Sequence, residues 1–283
     1  MSLARLCRLF GISRQSLYQA RRRAEVREEE LSRIKPLVRK IRIRMPRIGT
    51  RKLYYLLKDE FVRQGIKIGR DGLFAYLRSE HMLIKPRKSY TKTTYSKHWL
   101  RKHPNLLKEM EVSRPEQVFV SDITYVKSRE RTHYLSLVTD ACSRKIMGHK
   151  LSDDLSAENV VQALKMAIRN RETREPLIHH SDRGLQYCSS VYQDELRNNG
   201  IDPSMTDGYD CYQNALAERV NGILKQEFLI ETCNTGEELE TMIRESIETY
   251  NGSRPHMSLA MQTPNSAHKK ACENESAGLR EIN

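Results

Sequence analysis

Apolar residues recur along this chain with two different periods, and the change from one to the other divides it near residue 114. The first part is helical in spacing. Residues 3–23, LARLCRLFGISRQSLYQARRR, predict a helix, a turn at Gly11 and a second helix capped by Ser13. A charged connector, Arg21 to Glu30, leads to Leu31, Ile34, Leu37, Val38 and Ile41 at helical spacing, with Pro36 set to start or kink that helix. Thr50 can cap a helix that turns Leu53, Leu56 and Leu57 to one side. A further helix from Asp71 to Glu80 carries Leu73, Tyr76 and Leu77 inward. Residues 85–103, KPRKSYTKTTYSKHWLRKH, have almost no period and read as a basic linker with Tyr90, Tyr95 and Trp99 interleaved.

Beyond Arg114 alternation takes over. Strands are predicted at Val118 to Lys127, Thr132 to Thr139 and Arg144 to Leu151, joined by short turns into an antiparallel meander. A helix capped at Ser156 follows, then a strand over Leu177 to Ser181, a helix over Ser190 to Asn198 and a short strand after Gly200. Residues 206–213 have no period and mark a loop before NALAERVNGILK, which reads as a helix starting at Asn214 with Leu216, Val220, Ile223 and Leu224 on its apolar face. GEELETMIRESIETYN is one more amphipathic helix, and the last ten or so residues read as a loose polar tail.

Three acids stand out against this pattern. Asp122 interrupts the β-branched and aromatic run VFVSDITYV, where an unpaired buried carboxylate would cost several kcal/mol. Asp182 closes PLIHHSD and is delivered by a strand into the loop that starts with Arg183 and Gly184. Glu218 lies one turn past Asn214, and Lys225 seven residues further on; two turns of a helix bring both to one face. Phosphoryl transfer with two hard divalent ions needs such a set of oxygen ligands. Asp140 is the nearest competitor, but it precedes a turn where Asp is favoured for local hydrogen bonding. Of His179 and His180, alternation sends one to each face of the strand, so that one packs inside.

Charge narrows the partners. The net charge of +13 is uneven: residues 1–110 hold 29 Lys and Arg against 9 Asp and Glu, and the remainder holds 20 against 27. A basic first third suits a polyanion, with Arg14 and Gln15 on the second helix, and Arg51, Lys52, Arg70 and Arg78 on the later ones, as candidate contacts. The pattern fits helix-turn-helix modules; it also fits basic helices that merely dock on the body. The six cysteines are scattered without a CxxC pair and read as reduced thiols. His98 and His103 lack a neighbouring cysteine to complete a zinc module. No stretch approaches a signal peptide or a membrane span, so the expected location is the cytoplasm, on the nucleoid.

The segments HHSDRGLQY, NALAERVNGILKQEF and YNGSRPH, with 35 residues between Asp182 and Glu218, strongly resemble the bacterial insertion-sequence transposases of the retroviral-integrase-like DDE group. The resemblance spans about Leu31 to Pro264, and GTRKLYYLL resembles the group's second DNA-binding module. It implies an α/β, RNase H-like core with a mixed five-stranded sheet flanked by helices, preceded by small all-α helix-turn-helix modules. It makes Asp122, Asp182 and Glu218 the catalytic, metal-binding triad for two Mg²⁺ or Mn²⁺ ions, and Lys225 a DNA-contacting companion. The implied activity is cleavage at element ends and joining of 3′-hydroxyls to double-stranded DNA by a homo-multimer, with an upstream reading frame as partner or fusion. A nuclease without strand transfer and a non-catalytic DNA-binding repressor are the alternatives. The expected divisions are a helix-turn-helix segment at 1–25, a DNA-binding module at 28–84, the linker at 85–113, the core at 114–272 and the tail at 273–283.

Overall fold

The computed structural model describes residues 3–85, 100–207, 214–230 and 233–281, apart from the side chains of 273–281. The chain divides into two compact units, Met1–Arg44 with Ile48–Lys85, and Met45–Arg47 with Pro86–Asn283.

In the first unit α1 (Leu3–Leu9) is followed by a turn at Gly11, whose φ of 64° suits a residue without a Cβ. Ser13 then caps α2 (Arg14–Ser32), its hydroxyl accepting from the Ser16 amide. The expected connector at residues 21–30 is instead the continuation of α2, so no boundary falls between 25 and 28. RRRAEVREEE sets opposite charges three and four residues apart; Arg21 pairs with Glu25 and Arg27 with Glu30, which supports a helix that buries nothing. Next come α3 (Ile34–Arg44), which admits Pro36 in its first turn, α4 (Thr50–Arg63) and α5 (Arg70–Ser79). Gly49, not Thr50, is the cap of α4, and Thr50 is buried as its first residue. Ile34, Val38, Leu53, Leu57, Phe61, Leu73 and Leu77 close the small core of these three helices, while Leu56 and Tyr76 stay at its edge.

The second unit is built on a five-stranded sheet in the order β3-β2-β1-β4-β5. Strands β1 (Val118–Lys127), β2 (Thr132–Asp140) and β3 (Ile146–Ser152) form the expected antiparallel meander, and β4 (Leu177–Ser181) and β5 (Ile201–Met205) add parallel to β1. One face is covered by α6 (Ala157–Arg169), α7 (Leu185–Cys188) and α8 (Ser190–Asn198), enclosing Phe119, Val138, Met147, Leu164 and Tyr192. α6 lies so close to β3 that a Cβ on Gly148 would strike the Ala163 carbonyl and come within 2.7 Å of the Ala167 amide. On the other face Val118 and Val120 meet Ala217 of α9 (Ala215–Glu227). Leu107, Met110 and Val112 pack there too, and Pro104 accepts from the Met205 amide, so the described end of the expected linker belongs to the core. The remaining helices are α10 (Gly236–Gly252) and α11 (Pro264–Glu281); α11 continues where a loose tail was expected from 273, its Glu, Ala, Leu and Arg residues favouring helix while Asn274, Ser276 and Gly278 oppose it.

Candidate active site

Alternation along β1 sends Phe119 and Ser121 to the α8 side and Val118, Val120 and Asp122 to the α9 side. In β4 the same rule turns Leu177 and His179 toward α8 and Ile178 and Asp182 toward α9. The two strands are parallel neighbours in a register that pairs Val120 with His180. Two residues beyond that pair lie Asp122 and, just past the end of β4, Asp182, both on the α9 side and near enough for Asp182 to be the main charge acting on Asp122. Adjacent strands run ~4.8 Å apart, which is close enough for strong repulsion between two carboxylates.

α9 supplies the third acid. Asn214, Glu218, Asn221 and Lys225 follow one another at four, three and four residues, forming one stripe along the helix. Two of the four fasten that stripe to β1: Asn214 donates from Nδ2 to the Ser121 carbonyl (3.0 Å), and Asn221 donates from Nδ2 to Asp122 Oδ2 (2.7 Å). Asn214 is therefore the residue before the helix, as expected, but its side chain ties the helix to the sheet and does not cap it. Glu218 lies between these anchors and is exposed, and Lys225 is half-buried.

The charges act on one another as this placement requires. Burial, then Asp182, and to a smaller extent Glu218 push the Asp122 carboxyl up to about 7, against the opposing hydrogen bond from Asn221. Burial and Asp182 likewise raise Glu218. Asp182 accepts from the Gly184 amide (3.0 Å), which fixes one of its oxygens at the strand end. Tyr187, in the α8-side core close to Gly184, has a buried hydroxyl without a hydrogen bond among the described residues, and burial, Tyr192 and both Asp carboxylates push its ionisation upward. Three oxygen donors that repel each other in a partly desolvated pocket fit a hard divalent cation, which would relieve the repulsion.

Other candidates fall elsewhere. Asp140 is fully buried in its turn, accepting from the Glu116 and Ser143 amides and the Ser143 hydroxyl, as the local reading expected. Both His179 and His180 are buried. His179 is shared by Ser121 and Tyr192 and, chiefly through burial, lies near 3, while His180 meets Ser204. Arg254 and His256 serve packing: Arg254 grips both oxygens of Glu227 at 2.8 Å and also donates to His256 Nε2, clamping the end of α9. Arg14, Gln15, Arg51 and Arg78 are exposed, Lys52 is half-buried, and Arg70 is paired with Asp71. The expected loop at 206–213 and His98 lie largely outside the described residues. Asn221 and Tyr187 were not singled out from the sequence; the signal for Asn221 was its place on the Glu218 stripe.

An integrase core domain model matches residues 112–211, and a second integrase core domain model matches residues 199–264. The chain is 33% identical over 271 residues to an uncharacterized 31 kDa protein of insertion element IS600 from Shigella sonnei, covering 94% of this chain and 98% of the relative. It is 31% identical over 231 residues to the transposase InsF for insertion sequence IS3A of Escherichia coli (strain K12), covering 80% and 79%. Among solved structures, the catalytic core domain of HTLV-2 integrase in complex with magnesium aligns with a TM-score of 0.45 at 21% identity, over 55% of this chain and 97% of that one. A simian T-cell lymphotropic virus intasome aligns with a TM-score of 0.49 at 18% identity, over 78% and 70%. The chain belongs to the insertion-sequence transposases that carry an integrase core domain. It is accordingly an enzyme of the polynucleotidyl transferase class.

Proposed function

We propose that Asp122, Asp182 and Glu218 hold two divalent ions, Mg²⁺ or Mn²⁺, and that the chain uses them to cleave at the ends of its insertion element and join the 3′-hydroxyls to target DNA. The observation that carries this reading is the parallel register that sets Asp122 beside Asp182 beneath the helix bearing Glu218. Asp122, Asp182 and Glu218 would supply the carboxylate oxygens that hold the ions. When bound, the ions supply Lewis acidity at the attacking and leaving oxygens.

The chain's own residues do the positioning. Asn221 orients Asp122 and favours its ionised form, opposing the burial and the Asp182 charge that raise it. The Gly184 amide orients Asp182. Arg254 and Glu227 hold the far end of α9, and Asn214 its start, so Glu218 is carried on a helix secured at both ends. Lys225, on the same stripe, contacts a DNA phosphate. Arg14, Gln15, Arg51, Lys52, Arg70 and Arg78 grip double-stranded DNA from the first unit, whose excess of cations favours phosphate contact. The active form is a homo-multimer on paired ends, working in the cytoplasm on the nucleoid, with an upstream-frame segment as partner or fusion.

Incubating the purified chain with labelled terminal inverted repeats, some pre-nicked, tests this directly. Mg²⁺-dependent joining is expected, lost in Asp122→Asn, Asp182→Asn and Glu218→Gln while DNA binding persists. Cleavage without joining would replace the proposal by the nuclease reading, and binding with neither by the repressor reading.

A further inference from the structure

A second group of metal-ligating side chains lies away from the three acids, between α11 and the core. Glu172, His268 and Cys272 each place one donor atom within 4.8 Å of the others. They come from separate parts of the fold: Glu172 follows α6, and His268 and Cys272 sit four residues apart on α11, on one face of that helix. Glu116 lies behind them, its Oε1 3.4 Å from His268 Nε2, and Glu172 Oε1 is 3.9 Å from the same nitrogen.

The histidine is prepared for such a role. Ser143 gives its hydroxyl proton to Asp140 Oδ1 at 2.7 Å, so at its 2.9 Å contact with His268 Nδ1 it must accept. Nδ1 therefore carries a proton, and in the neutral ring Nε2 carries the lone pair. That nitrogen is fully buried and, among the described residues, makes no hydrogen bond; Glu116 Oε1 at 3.4 Å and Glu172 Oε1 at 3.9 Å are the carboxylate oxygens before it. An oxygen acceptor that holds the Nδ1 proton, here the Ser143 hydroxyl, is a usual way a protein sets a metal-binding tautomer. Glu116, buried behind the ring, accepts from the Glu172 and Thr173 amides and from the Thr173 hydroxyl, which fixes its carboxyl group there. Lys145 donates to Glu172 Oε1 at 2.9 Å and leaves that carboxylate further lone pairs.

We propose that Glu172, His268 and Cys272 bind one Zn²⁺-class ion that fastens α11 to the core. Mixed imidazole, thiolate and carboxylate donors select a borderline transition metal over Mg²⁺ or Mn²⁺. Binding takes the Cys272 proton to solvent and leaves ion, thiolate and Glu172 carboxylate neutral together. The site is independent of the proposed catalytic ions, since none of the three acids enters it.

The test uses the full chain carrying Asp122→Asn and Glu218→Gln, so that the catalytic acids do not compete for metal. Titration with Co²⁺ as the probe should give a thiolate-to-cobalt charge-transfer band saturating at one ion per chain. Zn²⁺ should bleach the band and raise the melting temperature. Cys272→Ser, at a half-buried position, should abolish the band, and Glu172→Gln, at an exposed one, should weaken Zn²⁺ by roughly 10- to 100-fold. Circular dichroism establishes that each variant is folded. Absence of the band in the parent, or its persistence in Cys272→Ser, would overturn the proposal and leave His268 as half of a buried ion pair with Glu116.

Discussion

Replacing Asp122 by Asn should make the metal-free protein more stable at alkaline pH while destroying its chemistry. The ordinary carboxyl value of 3.8 rises to about 7 in the fold, first through burial and then through Asp182. At ~1.36 kcal/mol for each tenfold change in a proton equilibrium, that difference amounts to about 4 kcal/mol. The folded state holds the proton more tightly than the unfolded chain. The stability this provides is complete below about pH 4 and is lost as pH rises through 7. Asn resembles the protonated acid and keeps an acceptor for Asn221 Nδ2, so it should match the parent at pH 4 and exceed it by up to about 4 kcal/mol at pH 8. Urea unfolding of both proteins in EDTA, followed by far-UV circular dichroism at the two pH values, measures the difference. Mg²⁺ at 100 times its dissociation constant should return about 2.7 kcal/mol to the parent alone. An Asp122→Asn protein no more stable than the parent at pH 8 would refute the claim that the pocket forces like charges together.

Gly148→Ala should leave the core unfolded or destabilised by more than about 3 kcal/mol by the same unfolding assay, because the added methyl meets the backbone of α6 rather than a movable side chain. Arg254→Met should cost roughly 3 kcal/mol, the low end for a broken buried pair because Glu227 retains some solvent, and reduce joining more than DNA binding. Asn221→Ala should shift the lower limb of the pH profile of joining toward alkaline values, since the hydrogen bond that favours ionised Asp122 is gone; an unchanged profile would count against its orienting role.

Local patterns carried most of the fold. The bounds of β1 follow from its β-branched and aromatic run and those of β4 and α8 were legible from the local pattern, and the three acids are visible because each breaks the pattern around it. Features that depend on distant pairing were hidden. Asn221 reads as one polar residue on a helix until β1 is laid beneath it, and Ser143 meets His268 across 125 residues. The length of α2 was missed because a run of like-looking charges suggests a connector, whereas its stability comes from the signs alternating at helical spacing. The clamp made by Arg254 was hidden in the same way: nothing near it in sequence names Glu227 as its partner.

The central claim, that Asp122, Asp182 and Glu218 share divalent ions, is tested most directly by titrating Mn²⁺ into the parent and into the triple variant Asp122→Asn, Asp182→Asn, Glu218→Gln, with bound ion read by electron paramagnetic resonance. The account predicts two ions in the parent that the triple variant does not take up. Equal binding by both proteins would contradict it.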